Sequence, residues 1–333
     1  SISSAKTVYQ AFNSEINKAR FTVKAFYINK NGHWLDSDIS EKILIGEMEL
    51  NKTTKQGVFN QEKINFLEGI HFQIVDVWFP ILHGLNGEDG SIHGLLKFTK
   101  KPLVGCGIIG SALGMDKIMM KTIFSSLRLP QVNYLIFQNE DFNDKKVKNK
   151  LINEILKKFN FPIFIKPSNS GSSLGISKVT NESEILQALE KAWEIDTRIL
   201  IEEGLEVKEI ECGIIGNSKL LTSEIGEVKY ESDWYDYDSK YNLNNKITIP
   251  AEIDSKITNE IKEIAIQSCR VLNIFGFARV DFFLEKSTNR ILLNEINTIP
   301  GFTKNSMFPM LWKASGLNIE QLVAKLVDIS LDL

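Results

Sequence analysis

Two short stretches near the C-terminus hold the residues best suited to chemistry. GFARVDFF (276–283) and LLNEINTIPG (292–301) both read as strands, and in a strand residues i and i+2 share a face. Arg279 and Asp281 therefore point one way, and so do Glu295 and Asn297. Paired as a hairpin, they bring one cation and three oxygen ligands to a single patch, with Val280, Phe282 and Ile296 packed behind. Two carboxylates and an amide oxygen suit a hard divalent cation that takes its other ligands from water and phosphate. The guanidinium suits charge developing at a phosphoryl or tetrahedral centre. A surface salt-bridge ladder would use the same residue types, but the buried-type flanks and the Pro300-Gly301 turn favour the site.

A second candidate is IKPSNSGSSLGISKV (165–179), where a strand ends in Lys166 and Gly171 and Gly175 bracket Ser172 and Ser173. Glycines let backbone N–H groups approach phosphate oxygens, and the hydroxyls and lysine add donors. It lacks Walker spacing, and taken alone it also reads as an ordinary turn. HGLNGEDGSIHG (83–94) follows directly on an apolar strand, the place where open α/β sheets bind ligands. His83 and Glu88 supply polar groups there; a helix-entry turn with acids at the helix N-terminus explains the same residues. Gly105, Gly107 and Gly110 match GxGxxG, but the acid that a dinucleotide site needs about 20 residues further on is missing from LPQVN (129–133), so that reading is set aside.

These motifs need elements to carry them. Ser1–Phe12 reads as an amphipathic helix, Phe21–Ile28 and Phe72–Leu82 as extended segments, Ile92–Phe98 as a short helix and Lys101–Gly105 as a strand, which together give an open α/β domain. A helix follows over Ser111–Leu127, then strand Val132–Phe137 and a lysine-rich helix over Asp144–Phe159. Strands Phe161–Lys166 and Ile176–Val179 flank the glycine loop, ahead of a helix over Glu182–Ile195. Arg198–Glu202 and Glu206–Ile215 are strand-like, and 229–247 is a long aperiodic loop of the kind that is usually functional. A helix over Asp254–Leu272, the hairpin Phe277–Asn297 and a closing helix over Ile319–Ile329 complete the chain. With 333 residues, at about 150 per domain, two or three domains are expected. Net charge is −3 with both signs interspersed, which argues against a nucleic-acid partner. No apolar run reaches the roughly 18 residues needed to span a membrane, and there is no signal-peptide core. Cys106, Cys212 and Cys269 share no metal or redox spacing and fit a reducing compartment. A cytoplasmic protein is expected.

HGxxGEDG, the KPSxxGSSxG loop, the GxxRVD…NEINTxPG hairpin and the run YDYDSKY (235–241) occur in the order seen in D-alanine–D-alanine ligases, and the chain resembles that family over essentially its whole length. The resemblance implies an ATP-grasp fold with an N-terminal open α/β domain over 1–110, a central subdomain over 111–201 and a C-terminal subdomain over 202–333 whose lid is the loop 229–247. It also implies ATP-dependent joining of two D-alanine molecules through an acyl phosphate, for cell-wall peptidoglycan precursors. ATP would be met by Lys117, Lys166, Ser173, Glu202, Glu203, Leu205, Glu209 and, from the lid, Lys240. Two Mg²⁺ or Mn²⁺ would be held by Asp281, Glu295 and Asn297, with Glu295 bridging. Arg279 and the Gly301 N–H would stabilise the tetrahedral intermediate; Ser306 and Met307 would bind the second substrate's carboxylate, and His83 would lie near the first substrate. Tyr241, which accompanies dipeptide-forming members, would hydrogen-bond Ser172 and a glutamate near the N-terminus; a lid aromatic that merely packs is the plain alternative, and for Ser306 it is a simple helix cap. A homodimer is the family expectation.

The sequence departs from the family at three places. The opening strand and the Gly-rich, Glu-containing turn are absent ahead of Ser1, so the chain is expected to be a piece of a longer one. His93 stands where glutamine or a small residue is usual, and Glu203 where some members carry lysine. The competing readings are a ligase of the same architecture using D-serine or D-lactate, a phosphotransferase of the same fold, and an inactive ATP-binding remnant.

Overall fold

The alternation in the last third of the sequence is realised as strands, and it sets the layout of the molecule. The computed structural model describes residues 1–48, 75–138, 142–171, 174–229 and 246–332. Two antiparallel sheets dominate. The first comprises β1 (Tyr134–Gln138), β2 (Ile163–Pro167), β3 (Ser177–Val179) and β4 (Arg198–Glu203), in the order β1-β4-β2-β3. The second comprises β5 (Val207–Gly216), β6 (Leu220–Lys229), β7 (Lys246–Thr248), β8 (Gly276–Glu285) and β9 (Ile291–Asn297), in the order β7-β6-β5-β8-β9.

Each sheet buries one face under helices. On the first, Ile163, Ile165, Ile199 and Ile201 pack against Leu151 and Ile155 of helix Lys145–Lys158 and against Ile185 and Leu189 of helix Glu182–Trp193. The intervening residues of β2 and β4, Lys166 and Glu202 among them, must then lie on the opposite face. On the second sheet, Ile210, Cys212, Val280 and Phe282 pack with Ile261, Ala265 and Cys269 of helix Ser255–Val271. Arg279 and Asp281 are thereby turned the other way. Side-chain caps start these helices: Asp144, Asn181 and Asp254 each accept a hydrogen bond from the backbone two residues on, which satisfies an otherwise orphaned donor.

β9 changes face partway along. Asp281 stands opposite Glu295, but the next pair is Phe282 with Leu293, which leaves Asn294 as the extra residue of a bulge. Leu293 donates its N–H to Pro130 O at 2.8 Å instead. The bulge lets Ile291 and Leu293 join Ile296 in the core while Glu295 and Asn297 stay on the polar face.

Several sequence expectations need correction. The single helix expected over Ser111–Leu127 is two, Ile108–Met115 and Lys117–Ser126. Asp116 separates them with φ −89° and ψ 99°, and its carboxylate caps the second by accepting from Met119 N at 3.0 Å. β6 was not anticipated as a strand. Met307–Ala314 is a helix outside the elements expected from sequence. Phe21–Ile28, Phe72–Leu82 and Lys101–Gly105 form no ladder among the described residues, only single bridges of Ile28 with Trp34 and of Trp78 with Leu103; residues 72–74 lie outside the described residues. Packing holds the segment 75–82 instead: Val77, Phe79 and Ile81 enter one apolar cluster, and Val75, Trp78 and Leu82 another. The three free cysteines are buried, and burial pushes the Cys106 and Cys212 thiols up to about 11 and about 12.

The GxGxxG glycines serve packing. A Cβ at Gly110 would lie 2.4 Å from Cys106 Sγ and 2.6 Å from Asn273 O. Helix Ile108–Met115 is thus pressed against the segment leading into β8. In a free helix, glycine-to-alanine stabilises by about 1 kcal/mol; here overpacking reverses the sign. Gly110→Ala is expected to lower thermal stability by about 1–3 kcal/mol. A calorimetric melt in which the variant is as stable as the parent would refute the close approach.

Candidate active site

The hairpin brings its four polar residues together. Arg279 faces Asn297 and Asp281 faces Glu295 across β8 and β9. Arg279 makes two bonds to Asp281, Nε to Oδ1 and Nη2 to Oδ2, each 2.7 Å, and Asn297 Nδ2 donates to Asp281 Oδ2 at 2.8 Å. On the other side, β5 sets Glu211 opposite Asp281, and Arg279 Nε lies 2.8 Å from Glu211 Oε2. Three carboxylates, Glu211, Asp281 and Glu295, therefore stand side by side on three strands, with one guanidinium bridging the first two. Burial would lower the Arg279 pKa, but Asp281 and Glu211 hold it well above its ordinary value. One positive and three negative charges leave −2 among these four groups.

Across from it the first sheet presents the opposite sign. Lys121, from helix Lys117–Ser126, and Lys166, from β2, both pair with Glu202 of β4, at 2.6 and 2.5 Å. Burial alone would raise the Glu202 carboxyl, yet the two ammonium groups bring it down to about 2. Burial lowers Lys121 despite Glu202; for Lys166 the same burial is outweighed by Glu202, Glu295 and Glu209, so its pKa is raised. Glu295 acts on Lys121, Lys166 and Arg279 alike, so the two faces share one cleft.

Three loops close on this cleft. Lys117 Nζ donates to Ser170 O, and Ser168 Oγ donates to the Asp116 carboxylate at 2.7 Å, which anchors the glycine loop to helix Lys117–Ser126. A Cβ at Gly171 would come within 4.0 Å of Gly84 Cα, which sets this loop against the segment 83–94. That segment is pinned in turn to the chain after β9, where Thr298 Oγ1 donates to Glu88 O at 3.2 Å. The His83 ring completes the connection. Its Nδ1 lies 2.9 Å from Ile299 O, so Nδ1 carries the proton, and Nε2 accepts from Ser4 Oγ at 2.8 Å, while that hydroxyl accepts from Phe302 N at 3.1 Å. Burial lowers the His83 pKa, with the Ile299 carbonyl opposing, in keeping with a neutral ring. Both ring nitrogens are spent inside the protein, so His83 shapes the loop rather than offering a donor.

Gly301 sits where a Cβ would lie 2.9 Å from Ser306 Oγ. Ser306 precedes helix Met307–Ala314 but makes no side-chain cap bond to it; its hydroxyl turns back to Thr303, accepting from Thr303 N at 3.0 Å. The Met307 side chain is buried and packs towards Gly226, so only its backbone N–H can face the cleft.

A family model described as D-ala D-ala ligase N-terminus matches residues 1–106, and one described as D-ala D-ala ligase C-terminus matches residues 123–328. The chain belongs to the D-alanine–D-alanine ligase family. A D-alanine–D-alanine ligase of Prochlorococcus marinus strain MIT 9301 is 84% identical, over 100% of this chain and 94% of the relative; that of strain NATL1A is 46% identical, over 99% and 93%. Among solved structures, VanG D-Ala:D-Ser ligase from Enterococcus faecalis matches with 32% identity and TM-score 0.80 over 99% of this chain and 94% of that one. The D-alanine–D-alanine ligase of Coxiella burnetii matches with 28% identity and TM-score 0.79, over 99% and 90%. The fold is therefore the ATP-grasp fold of these ligases, and no described helix is long and apolar enough to cross a membrane.

Other family-implied positions are spread more widely. Glu203 points away from Glu202, as neighbours on a strand do, and accepts from Asn133 N and Nδ2 at 2.8 and 2.9 Å. Leu205 lies in the linker between β4 and β5, and Glu209 on β5 opposite Phe283. Ser172, Ser173, Lys240 and Tyr241 lie outside the described residues, as do positions 230–245 of the expected lid. Sequence reasoning missed Lys121 and Glu211. Each had a signal: Lys121 is one helical turn after Lys117, and Glu211 is two residues after Glu209 on a strand.

His93, the family-atypical residue, is buried in helix Ser91–Lys97, and neither ring nitrogen has a hydrogen-bond partner among the described residues. Burial lowers its pKa from 6.5 to about 4, Asp89 opposing. The unfolded chain therefore binds this proton first as pH falls, so His93 withdraws stability between pH 6.5 and about 4. The loss amounts to about 3 kcal/mol at about 1.4 kcal/mol per pH unit. In urea titrations His93→Leu is expected to flatten the fall in stability across that range. An unchanged slope would show that the ring finds a partner.

Proposed function

We propose that the protein joins two D-alanine molecules to D-alanyl-D-alanine with ATP as the phosphoryl donor, in the synthesis of peptidoglycan precursors. One observation carries the reading: in a member of this family, a guanidinium and three oxygen ligands on one sheet face two lysines, from β2 and a helix, that share Glu202 of the other sheet. In the proposed reaction the carboxylate of the first D-alanine takes the γ-phosphoryl group, and the amine of the second attacks the resulting acyl phosphate and displaces phosphate.

The donor set suits Mg²⁺ or Mn²⁺. Asp281, Glu295 and Asn297 offer hard oxygens on an acidic face. Two carboxylates and one amide oxygen leave coordination positions that phosphate and water would fill. Asp281, Glu295 and Asn297 would hold two such ions, which supply charge neutralisation during phosphoryl transfer. Asn297 would do so through Oδ1, since Nδ2 faces Asp281. Lys166 and Lys117 bind phosphate oxygens as cations. Glu202, Glu203, Leu205 and Glu209 are carried as nucleotide contacts. Arg279, held protonated, meets the oxyanion of the tetrahedral intermediate together with the Gly301 N–H. Ser306 and the Met307 N–H receive the second substrate's carboxylate at an uncapped helix start, and His83 acts by fixing the loop near the first substrate.

From outside the described residues, Ser172 and Ser173 join the phosphate cradle, Lys240 reaches the γ-phosphate, and Tyr241 orders the lid over 229–247, which excludes water from the acyl phosphate. The proposed domains are 1–110, the central part and the C-terminal part. Because β4 continues to Glu203, their second boundary is proposed at 204–206 rather than 201. A cytoplasmic homodimer is likewise proposed.

Phosphate release with ATP, Mg²⁺ and D-alanine tests the reading, with the product identified by mass. D-Alanine is expected to drive turnover; L-alanine is not. Turnover that needs D-serine or D-lactate would move the assignment to those acceptors, and ATP binding without phosphate release would favour an inactive remnant. Glu295→Gln removes a charge aimed at the metal, an effect worth several kcal/mol, so kcat is expected to fall about a hundredfold or more with the melting temperature largely kept. Near-parental turnover by that variant would remove Glu295 from the metal site.

A further inference from the structure

Lys121 has no role in the site as proposed so far, yet it is one of the most enclosed charges in the molecule. Its side chain and that of Glu202 are each 2% exposed, whereas Lys166 is 12% exposed. Its backbone is held as well. Gln131 Nε2 and Tyr134 Oη both donate to the Lys121 carbonyl, at 3.1 and 3.3 Å, and the ammonium stands 5.5 Å over the Tyr134 ring. Glu202 is rooted in β4, between β1 and β2, and its two oxygens are divided, Oε1 to Lys121 and Oε2 to Lys166.

The cluster holds two ammonium groups and one carboxylate, one positive charge in excess. If Lys166, its most accessible member, turns to a phosphate, Lys121 and Glu202 remain as a neutral buried pair. Without Lys121 the same movement would strand a buried carboxylate, which is strongly unfavourable, and Glu202 would hold Lys166 back. We propose that Lys121 is a positioning residue that keeps Glu202 satisfied and so releases Lys166 to bind the phosphates of a nucleoside triphosphate. This rests on the proposed nucleotide site, and the experiment separates the two.

ATP binding to the full chain is measured by titration calorimetry for the parent, Lys121→Met, Glu202→Gln and the double variant, with KM for ATP and for D-alanine alongside. A parent that binds no ATP would defeat the nucleotide site itself. Given parental binding, Lys121→Met is expected to weaken ATP affinity about tenfold or more and to raise KM for ATP while leaving KM for D-alanine nearly unchanged. In the Glu202→Gln background, where the Glu202 carboxylate no longer competes for Lys166, the same substitution is expected to change affinity less than about twofold. Equal losses in both backgrounds, no loss in the parent background, or parallel rises in both KM values would each overturn the proposal. Should Lys121→Met fail to fold, Lys121→Gln carries the same expectations.

Discussion

The structure turns on one electrostatic constraint: Glu211, Asp281 and Glu295 lie side by side on β5, β8 and β9, and like charges placed opposite one another destabilise a sheet. Arg279 bonds to both Glu211 and Asp281 and relieves one half of the row. What keeps the other half in place is the underside of the same strands. Ile210, Cys212, Val280, Phe282, Leu293 and Ile296 are buried to 3% exposure or less, and a fully buried apolar side chain of this size contributes about 1.5–3 kcal/mol. Six of them outweigh a repulsion between neighbouring carboxylates of about 1 kcal/mol per pair. The acids stay where the core puts them, and the face keeps its unbalanced charge.

That placement was legible to the extent that it follows from period two. Arg279 and Asp281, and Glu295 and Asn297, could be assigned to one face each from spacing alone, and antiparallel pairing joins them. The bulge at Asn294 was not legible, because it depends on Leu293 giving its N–H to Pro130, a residue distant in sequence. Nor was β6, whose residues lie between β5 and β7 and carry no clean alternation. The helix Met307–Ala314 was hidden by Pro309, which reads as a breaker but stands in the first turn, where a proline has no hydrogen bond to lose. Asp116 split one expected helix in two by the mechanism that usually starts one: a short carboxylate competing for backbone donors. Lys121 and Glu211 were missed for a deeper reason. Spacing could place them beside Lys117 and Glu209, but their significance comes from pairing across elements 81 and 68 residues apart in sequence (202 − 121 and 279 − 211), which spacing does not give.

The loops obey a different logic. Segments around Ser4, 83–94 and 298–306 are far apart in the chain, and hydrogen-bond direction links them: Phe302 N–H gives to Ser4 Oγ, Ser4 gives to His83 Nε2, and His83 Nδ1 gives to Ile299 O. Ser4 Oγ and the His83 ring each donate once and accept once, so the tautomer of His83 is set by its surroundings. A protonated ring could not accept from Ser4, and the chain of bonds would break at that point. Burial favours the neutral ring, so the low-dielectric setting that makes an unpaired polar group costly also selects the state in which each is paired. The loops that line the cleft are thereby held by residues with no free valence for a ligand.

Charge sign then gives the cleft a direction. One side carries −2 from Glu211, Asp281 and Glu295 with Arg279; the other carries +1 from Lys121 and Lys166 with Glu202. A bare polyphosphate would be drawn to the lysines and repelled by the carboxylates, and a bare divalent cation the reverse. Only the two together match both walls, with the anion's oxygens completing the cation's shell on the acidic side. In a cleft of reduced dielectric these preferences are stronger than in water, so under the proposed function the arrangement would favour a metal–phosphate pair over either component. In the proposed reaction the phosphate end would lie at Lys166, near Arg279, and an oxyanion formed by attack on a neighbouring carbonyl would find its counter-charge in that guanidinium.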